Sequence, residues 1–436
     1  MTGTTDPAHT DPFAVLETVW RMESARIVAG VARVVRDVGH AEELAHDALV
    51  AAMEQWPREG VPDNPGAWLA ATARRRAIDA IRREQTLTRK TELLVGRAGD
   101  DTVAPAADVA VGDGAAAVGD DLLALLFATC HPAVARESRV ALTLRLFGGL
   151  TTDEIAHAFL VPSPTVGQRI SRAKKRLAAV GPEALAVPTG DELAARLGAV
   201  LEVVYLVFNE GYAATTGVDW TRPALCVEAM RLGRVLAALQ PDEPEVHGLV
   251  ALMELQASRL RARVGPTGEP VLLGDQDRAR WDRVLLQRGL AALARAEAGS
   301  GASSGGGRGR GRYTLQAAIA ACHARARSTD DTDWARIAAL YAELAALTPS
   351  PVVELNRAVA VSRAESPAAG LAVLEPLLTD PTLAGYHLLP AVRADMLTAL
   401  GRVDEAVAEL DRALGLVRTV AERELLEQRR ATLLGG

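Results

Sequence analysis

Apolar residues recur at helical spacing through almost the whole chain, and this periodicity restricts the fold more than any other feature of the sequence. Aromatic residues make up only 4% of the composition, whereas β-rich domains depend on aromatic and β-branched side chains. The 436 residues also exceed the usual size of one domain, which is about 100 to 200 residues. We therefore predict an all-α protein with several domains.

Two stretches of low complexity divide the chain. Residues 97–119 are rich in Ala, Gly and Asp, which predicts an acidic flexible linker. Residues 299–312, GSGASSGGGRGRGR, are either an RGG-like nucleic-acid-binding segment or a flexible Gly/Arg loop between helices, and we favour the loop. The predicted units are a disordered tail followed by four helical segments, at 1–9, 10–96, 120–182, 183–312 and 313–436.

Several classes of protein are disfavoured by the sequence. Three cysteines without CxxC spacing argue against a disulfide framework and a cysteine-rich zinc site. The most apolar stretch, Leu197–Phe208, is short and interrupted by Glu202, so no membrane segment is expected. The sequence contains no P-loop, Gly-rich dinucleotide turn or catalytic-triad context. We expect a cytoplasmic protein that is not an enzyme and needs no cofactor or metal.

The first helical unit contains a helix with an acidic face. Apolar residues at helical spacing from Ala41 to Trp56 occupy one side of this helix. The opposite side is polar and consists of Glu42, Glu43, His46 and Asp47. Such a face is either simply solvated or docked on a basic partner, and the residues alone leave both interpretations open.

A second helix of this unit carries arginines and a tryptophan on one side. The loop predicted from Pro57 to Gly66 precedes it, and Asn64 with Pro65 is a helix start signal. Its polar stripe consists of Trp68, Thr72, Arg75, Arg76, Asp79, Arg82 and Arg83. Guanidinium groups neutralise phosphates and an aromatic ring stacks on an unpaired base, so the stripe predicts nucleic-acid binding. The alternative is a surface helix whose Trp68 packs on a neighbour.

Residues 137–179 have the pattern of a helix-turn-helix. Thr151 and Glu154 predict a capping box on the first helix, and Ser163 with Pro164 predicts the N-cap and first residue of the second. The second helix has an apolar face for packing, which consists of Val166, Ile170, Ala173 and Leu177. Its other side offers amide, hydroxyl and cationic groups, on Thr165, Gln168, Arg169, Arg172, Lys174, Lys175 and Arg176. This composition predicts a recognition helix in the major groove of DNA.

Three segments together resemble a known family. AEELAHDAL (41–49), PGAWLAATARRRAIDAIRR (65–83) and LTTDEIAHAFLVPSPTVGQRISRAKKRLAA (150–179) are similar to regions 2.2, 2.3 to 2.4 and 4.2 of extracytoplasmic-function (ECF, sigma-70 family group 4) RNA polymerase sigma factors. Family members usually have Gln at position 46 and Asn at position 75, where this chain has His46 and Arg75.

The resemblance implies a sigma region 2 domain at 10–96 and a sigma region 4 domain at 120–182. It implies that Glu42, Glu43, His46 and Asp47 contact the polymerase β′ clamp and that the Trp68 to Arg83 stripe contacts the −10 element. Thr165, Gln168, Arg169 and Arg172 would read the −35 element, with Lys174, Lys175 and Arg176 on phosphates. The implied partners are promoter DNA and core RNA polymerase, through its β′ clamp and β flap.

The remaining residues are too many for a minimal factor of this family. VVYLVFNEGYAATTG (203–217) and EPVLLGDQDRARWD (269–282) resemble the C-terminal extension of the ECF42 group, which ends in tetratricopeptide (TPR)-like helices. The repeat is visible in small and large residues at matching positions about 36 residues apart. We predict helix pairs and a last helix, at 313–347, 351–378, 387–416 and from 420. Such a solenoid would bind a peptide or protein ligand.

These features predict a sigma factor that binds core polymerase and directs promoter-specific initiation, with its activity modulated by the C-terminal extension. The alternative is a TPR-type scaffold or regulator that carries a DNA-binding module. A less favoured alternative is an enzyme in residues 183–300 that uses Glu210 or Asp275. The simpler interpretation is that Asp275 and Asp277 cap a helix and that Glu210 belongs to a polar contact between domains.

Overall fold

A computed structural model describes residues 11–94, 115–159, 161–212, 221–266, 269, 271–301, 309–417 and 420–435. Within these ranges the chain forms eighteen α-helices and short 3₁₀ segments without a β-strand, which confirms the all-α class. The helices form two compact units, Met1–Val203 and Val204–Gly436. The predicted tail, most of the predicted linker and the middle of the Gly/Arg loop lie outside the described residues.

The first three helices pack on one another through small and branched side chains. Their bounds are α1 Pro12–Val35, α2 Val38–Glu59 and α3 Pro65–Leu94. Asn64 caps α3 as predicted, because its Oδ1 accepts a hydrogen bond from the Ala67 amide at 3.1 Å. The loop predicted from Pro57 begins later, since α2 continues to Glu59. Pro57 lies in the last turn of α2, where it removes one intrahelical hydrogen bond without interrupting a following turn.

Four further helices form the second half of this unit. Their bounds are α4 Ala115–Thr129, α5 Arg136–Phe147, α6 Thr152–Phe159 and α7 Ser163–Val180. Helix α4 begins inside the stretch predicted as linker, because its first residues, 115–117, are alanines with high helix propensity. Buried Phe127, Leu142, Phe147 and Ile155 form the core of this group.

Helix α8, Gly190–Tyr212, spans the boundary between the two units. The second unit continues with α9 Pro223–Leu239, α10 Pro244–Ala257 and α11 Arg283–Gly301. Helix α10 is buried nearly all round, and it packs against α9, α11 and the helix that follows α11. The described part of the long connection between α10 and α11 contains three short 3₁₀ segments and the buried Trp281.

The chain ends in seven helices that follow the predicted pairs. Their bounds are α12 Arg312–Arg325, α13 Trp334–Leu347, α14 Pro351–Ala364, α15 Pro367–Leu374, α16 Leu388–Ala399, α17 Val403–Leu416 and α18 Val420–Gly435. Three of the small residues in this region, Ala358, Ala394 and Ala406, are buried. A Cβ on Gly370 would lie 3.0 Å from the Ala358 carbonyl oxygen, so this glycine permits the close approach of α15 to α14.

Candidate nucleic-acid interface

Helix α7 has one buried and one exposed face, as the sequence predicts. Val166, Ile170, Ala173 and Leu177 are all buried and hold the helix on its neighbours. The outward residues Gln168, Arg172, Lys175 and Arg176 are exposed, and Thr165, Arg169 and Lys174 are half-buried. The exposed face therefore offers an amide and several cations without a carboxylate between them, which suits a duplex with a negative backbone.

The turn before α7 is fixed by side-chain hydrogen bonds. The predicted capping box is confirmed: the Glu154 amide donates to Thr151 Oγ1 at 3.1 Å, and the Thr151 amide donates to Glu154 Oε2 at 2.7 Å. Burial acts to raise the pKa of Glu154, but the Thr151 hydrogen bonds and the charge of Arg21 outweigh it and lower that pKa below 4.5. Glu154 is therefore ionised at neutral pH, and the cap is intact.

Ser163 does not cap α7, contrary to the sequence prediction. The helix includes Ser163, and Pro162 occupies the capping position. The Ser163 hydroxyl instead donates to Asp153 Oδ1 on α6. This bond joins the two helices of the helix-turn-helix directly, so the serine stabilises their relative orientation rather than an amide at the start of α7.

The stripe of α3 is largely accessible to solvent. Arg75, Asp79, Arg82 and Arg83 are exposed, whereas Arg76 and Thr72 are half-buried. Trp68 is half-buried and packs edge-on against Trp56, with ring centroids 5.7 Å apart. Trp68 thus has the neighbour that the alternative interpretation required, although the residue is not fully buried.

The acidic face of α2 is divided between exposed and buried residues. Glu43 and Asp47 are exposed, and Asp47 Oδ2 lies 3.5 Å from Arg76 Nη1 of α3. Glu42 is only 4% exposed. Its carboxylate oxygens form ion pairs with Arg145 Nε at 2.9 Å and with Lys174 Nζ at 2.6 Å.

We refer to Glu42, His46, Arg145 and Lys174 as the Glu42 cluster. His46 Nε2 lies 2.7 Å from Arg145 Nη2, and its Nδ1 lies 2.9 Å from the Glu42 carbonyl oxygen. Burial acts to raise the pKa of Glu42, but Lys174 and Arg145 outweigh this effect and hold that pKa below its usual value of 4.5. Glu42 is therefore an anion at neutral pH and joins α2 to both α5 and α7.

Sequence reasoning missed Arg145. It is the one charged residue in the stretch VALTLRLFGG at 140–149, and an arginine inside such an apolar run is a signal for a buried ion pair. The signal does not identify the partner, because Glu42 is about one hundred residues away in the chain.

The polar residues of the second unit are occupied by structural contacts. Glu210 forms an ion pair with Arg222, and Tyr212 accepts a hydrogen bond from Arg259 at 3.0 Å, so both contacts lie within this unit. Asp277 caps a 3₁₀ segment through the Ala279 amide, as predicted, whereas Asp275 is exposed. No group of three or more potential metal ligands occurs among the described residues.

The motif GDQDRARWD also contacts α12 through hydrogen bonds. Arg278 donates to the carbonyl oxygens of His323 at 2.6 Å and Ala326 at 2.9 Å, at the C-terminal end of that helix. Its guanidinium also lies over the ring of Trp281, 4.7 Å from the centroid. Burial together with Arg259 and Arg278 lowers the pKa of His323 to about 4, so this histidine is neutral at physiological pH.

Helix α7 thus presents an exposed face with several cations, and α3 carries a separate, largely exposed stripe of arginines beside Trp68. Among known families, Sigma-70 region 2 matches residues 20–86, and Sigma-70 region 4 matches residues 125–177. A family of unknown function, DUF6596, matches residues 196–297.

Individual relatives identify the family more closely. The chain is 31% identical over 156 residues to the ECF RNA polymerase sigma factor SigK of Mycobacterium ulcerans (strain Agy99), which covers 35% of this chain and 78% of that protein. SigK of Mycobacterium tuberculosis (strain ATCC 25618 / H37Rv) is 32% identical over 157 residues, with the same coverage. The chain therefore belongs to the ECF RNA polymerase sigma factor family.

A longer relative covers both units. An uncharacterized protein of Rhizobium meliloti (strain 1021) is 43% identical over 392 residues, which is 89% of each chain. No solved structure matches the chain. In the described part of the chain, no helix has both the length and the apolar character that a membrane crossing requires.

Proposed function

We propose that this sigma factor recognises a two-part promoter, the −35 element through α7 and the −10 element through α3. The observation that carries the proposal is the arrangement of α7, which buries its four apolar residues and presents Gln168, Arg172, Lys175 and Arg176 on the opposite face. Amide and guanidinium groups in the first turns pair with base edges, and cations further along contact phosphates.

The α3 stripe supplies the second contact. The residues that would meet the −10 strand are Trp68, Arg75, Arg76, Asp79 and Arg82, since a half-buried ring and guanidinium groups suit unpaired bases and their phosphates. Thr72 and Arg83 flank this contact. The acidic face of α2 would bind the β′ clamp of core polymerase, with region 4 on the β flap.

We further propose that the chain is an ECF42-type factor whose second unit modulates initiation. The seven closing helices have the pair lengths and buried small residues of TPR-like repeats, which favours a peptide or protein ligand. The same helix pairs also support the competing function of a scaffold or regulator. Recovery of the β and β′ subunits with the purified chain separates the two, because only the sigma factor requires core polymerase.

The direct test is reconstituted transcription from a library of genomic fragments, with core polymerase and the full chain. We expect specific start sites, and Arg172→Gln should weaken binding to the corresponding −35 duplex by about 5- to 100-fold. Arg136→Gln is the matched control, because Arg136 is an exposed arginine of α5 that pairs with Glu202 at 2.8 Å. Absence of any specific start site, under conditions where another sigma factor initiates, would refute the proposal.

A further inference from the structure

The Glu42 cluster joins two surfaces that the proposed function requires to be free. Glu42 and His46 belong to the face of α2 proposed for the polymerase clamp, and Lys174 belongs to the helix proposed for the −35 element. In the structure Lys174 Nζ lies 2.6 Å from the Glu42 carboxylate, and Arg145 covers both Glu42 and His46. Glu42 is then buried, and the Nε2 atom of the half-buried His46 is occupied by Arg145.

The contact between α2 and α7 also extends to the backbone. A Cβ placed on Gly39 would lie 3.6 Å from Lys174 Cβ and 3.5 Å from Lys174 Cδ. The first turn of α2 is therefore within ordinary van der Waals distance of the Lys174 side chain on α7.

A second contact holds the helix-turn-helix from the other side. Arg21 of α1 pairs with Glu154 of the capping box at 2.9 Å. A Cβ on Gly149 would lie 3.4 Å from Arg21 Cα, so the turn before α6 is packed directly on α1. These two ion pairs thus add to the packing of α4 and α5 on α1, which also joins region 4 to region 2.

We propose that the free chain is closed, with α7 covering Glu42 and His46, and that core polymerase binds only after the Glu42 cluster opens. This inference rests on the proposed function, because it assigns regulation to the surfaces that the sigma factor uses. The closed contact would therefore limit polymerase binding without an additional inhibitor.

A reversible disulfide tests the closed contact in the full chain. The Cβ separation of 3.6 Å between positions 39 and 174 lies within the range of about 3.5 to 4.5 Å that a disulfide needs. We would combine Gly39→Cys and Lys174→Cys with Cys322→Ser, since Cys322 is the least buried natural cysteine among Cys130, Cys226 and Cys322. Oxidised glutathione serves as oxidant, and binding to core polymerase is measured by fluorescence anisotropy before and after reduction.

We expect the disulfide to form readily and to weaken core binding at least tenfold, with full recovery after reduction. The two single-cysteine variants, treated identically, control for each substitution. Unchanged core binding by the oxidised protein would refute the closed state and leave the sigma function intact. Failure of the disulfide to form would also refute it, because the contact would then be unpopulated. If the wild-type and reduced chains fail to bind core polymerase, the proposed function itself is refuted.

A second variant opens the contact without touching a proposed binding residue. Arg145→Gln removes the cation that bridges Glu42 and His46, and we expect about tenfold faster association with core polymerase, equivalent to about 1.4 kcal/mol. Arg136→Gln neutralises another arginine of α5 outside the cluster and should leave the rate unchanged. Equal association rates for the two variants and the wild-type chain would contradict the inference.

Discussion

Gly211 gives the sharpest test of whether the motif FNEGY is structural. A Cβ at this position would lie 2.7 Å from the Cys226 amide nitrogen, 2.9 Å from the Arg222 carbonyl oxygen and 2.9 Å from Cys226 Sγ. Two of these atoms belong to the backbone at the start of α9, so rotating a side chain cannot relieve the overlap. The Arg222 amide also donates to the Gly211 carbonyl oxygen at 2.7 Å, which fixes the two segments together.

We expect Gly211→Ala to destabilise the second unit by about 2 kcal/mol. Overpacking costs about 3 kcal/mol when the backbone has to move, and the higher helix propensity of Ala returns about 1 kcal/mol. In a unit of this size, the loss lowers the unfolding midpoint by roughly 4 to 8 °C. Thermal unfolding followed by circular dichroism measures it.

Gly198 provides a control within the same helix. An added Cβ there meets no atom within 4 Å, so Gly198→Ala should raise stability by about 0.5 to 1 kcal/mol. The two identical substitutions in α8 thus have opposite expected signs. If Gly211→Ala is as stable as the wild-type chain, the close approach does not explain the glycine, and a functional role for the motif regains support.

Three further predictions concern the first unit. Ile170→Ala should cost about 2 to 5 kcal/mol in urea unfolding, because this side chain anchors α7, and a loss below 1 kcal/mol would contradict that role. Lys175→Ala should reduce the salt dependence of −35 duplex binding by about one counterion, whereas an unchanged slope would remove Lys175 from the phosphate contacts. Burial raises the pKa of the Cys130 thiol from 9.0 to about 11. The preference of the folded state for the protonated thiol therefore contributes fully to the free energy of unfolding below pH 9, and this contribution is lost as pH rises through 11. Urea unfolding between pH 8 and about 11.5 should show this decline in the wild-type chain and not in Cys130→Ala, and parallel curves for the two proteins would count against it.

The parts of the fold that depend on local chemistry could be predicted from the sequence. The apolar face of α7 follows from the helical period of Val166, Ile170, Ala173 and Leu177, and each is buried. The capping box of α6 depends on two residues three positions apart, and both hydrogen bonds are present. Ser163 shows the limit of this reasoning, because its hydroxyl pairs with Asp153 on another helix rather than with a nearby amide.

The Glu42 cluster could not be predicted, because it joins side chains from three helices that share no period. Glu42 lies on the polar side of an amphipathic helix, so periodicity indicates solvent exposure, and only the packing of α5 and α7 buries it. The acidic face therefore divides into exposed Glu43 and Asp47, half-buried His46 and buried Glu42. This division is a property of tertiary structure that the sequence pattern does not contain.

The contact between α2 and α7 is formed by charged residues, and this composition bears on whether the contact can open. Burying an ion pair costs desolvation free energy that roughly offsets the attraction between the charges, so such a contact contributes little net stability compared with apolar packing. A positively charged partner for Glu42, or a phosphate for Lys174, replaces the lost attraction when the cluster separates. A hydrophobic contact of the same area would offer no such exchange and would remain closed. The use of charged residues between α2 and α7 is thus consistent with a contact that polymerase and promoter can displace.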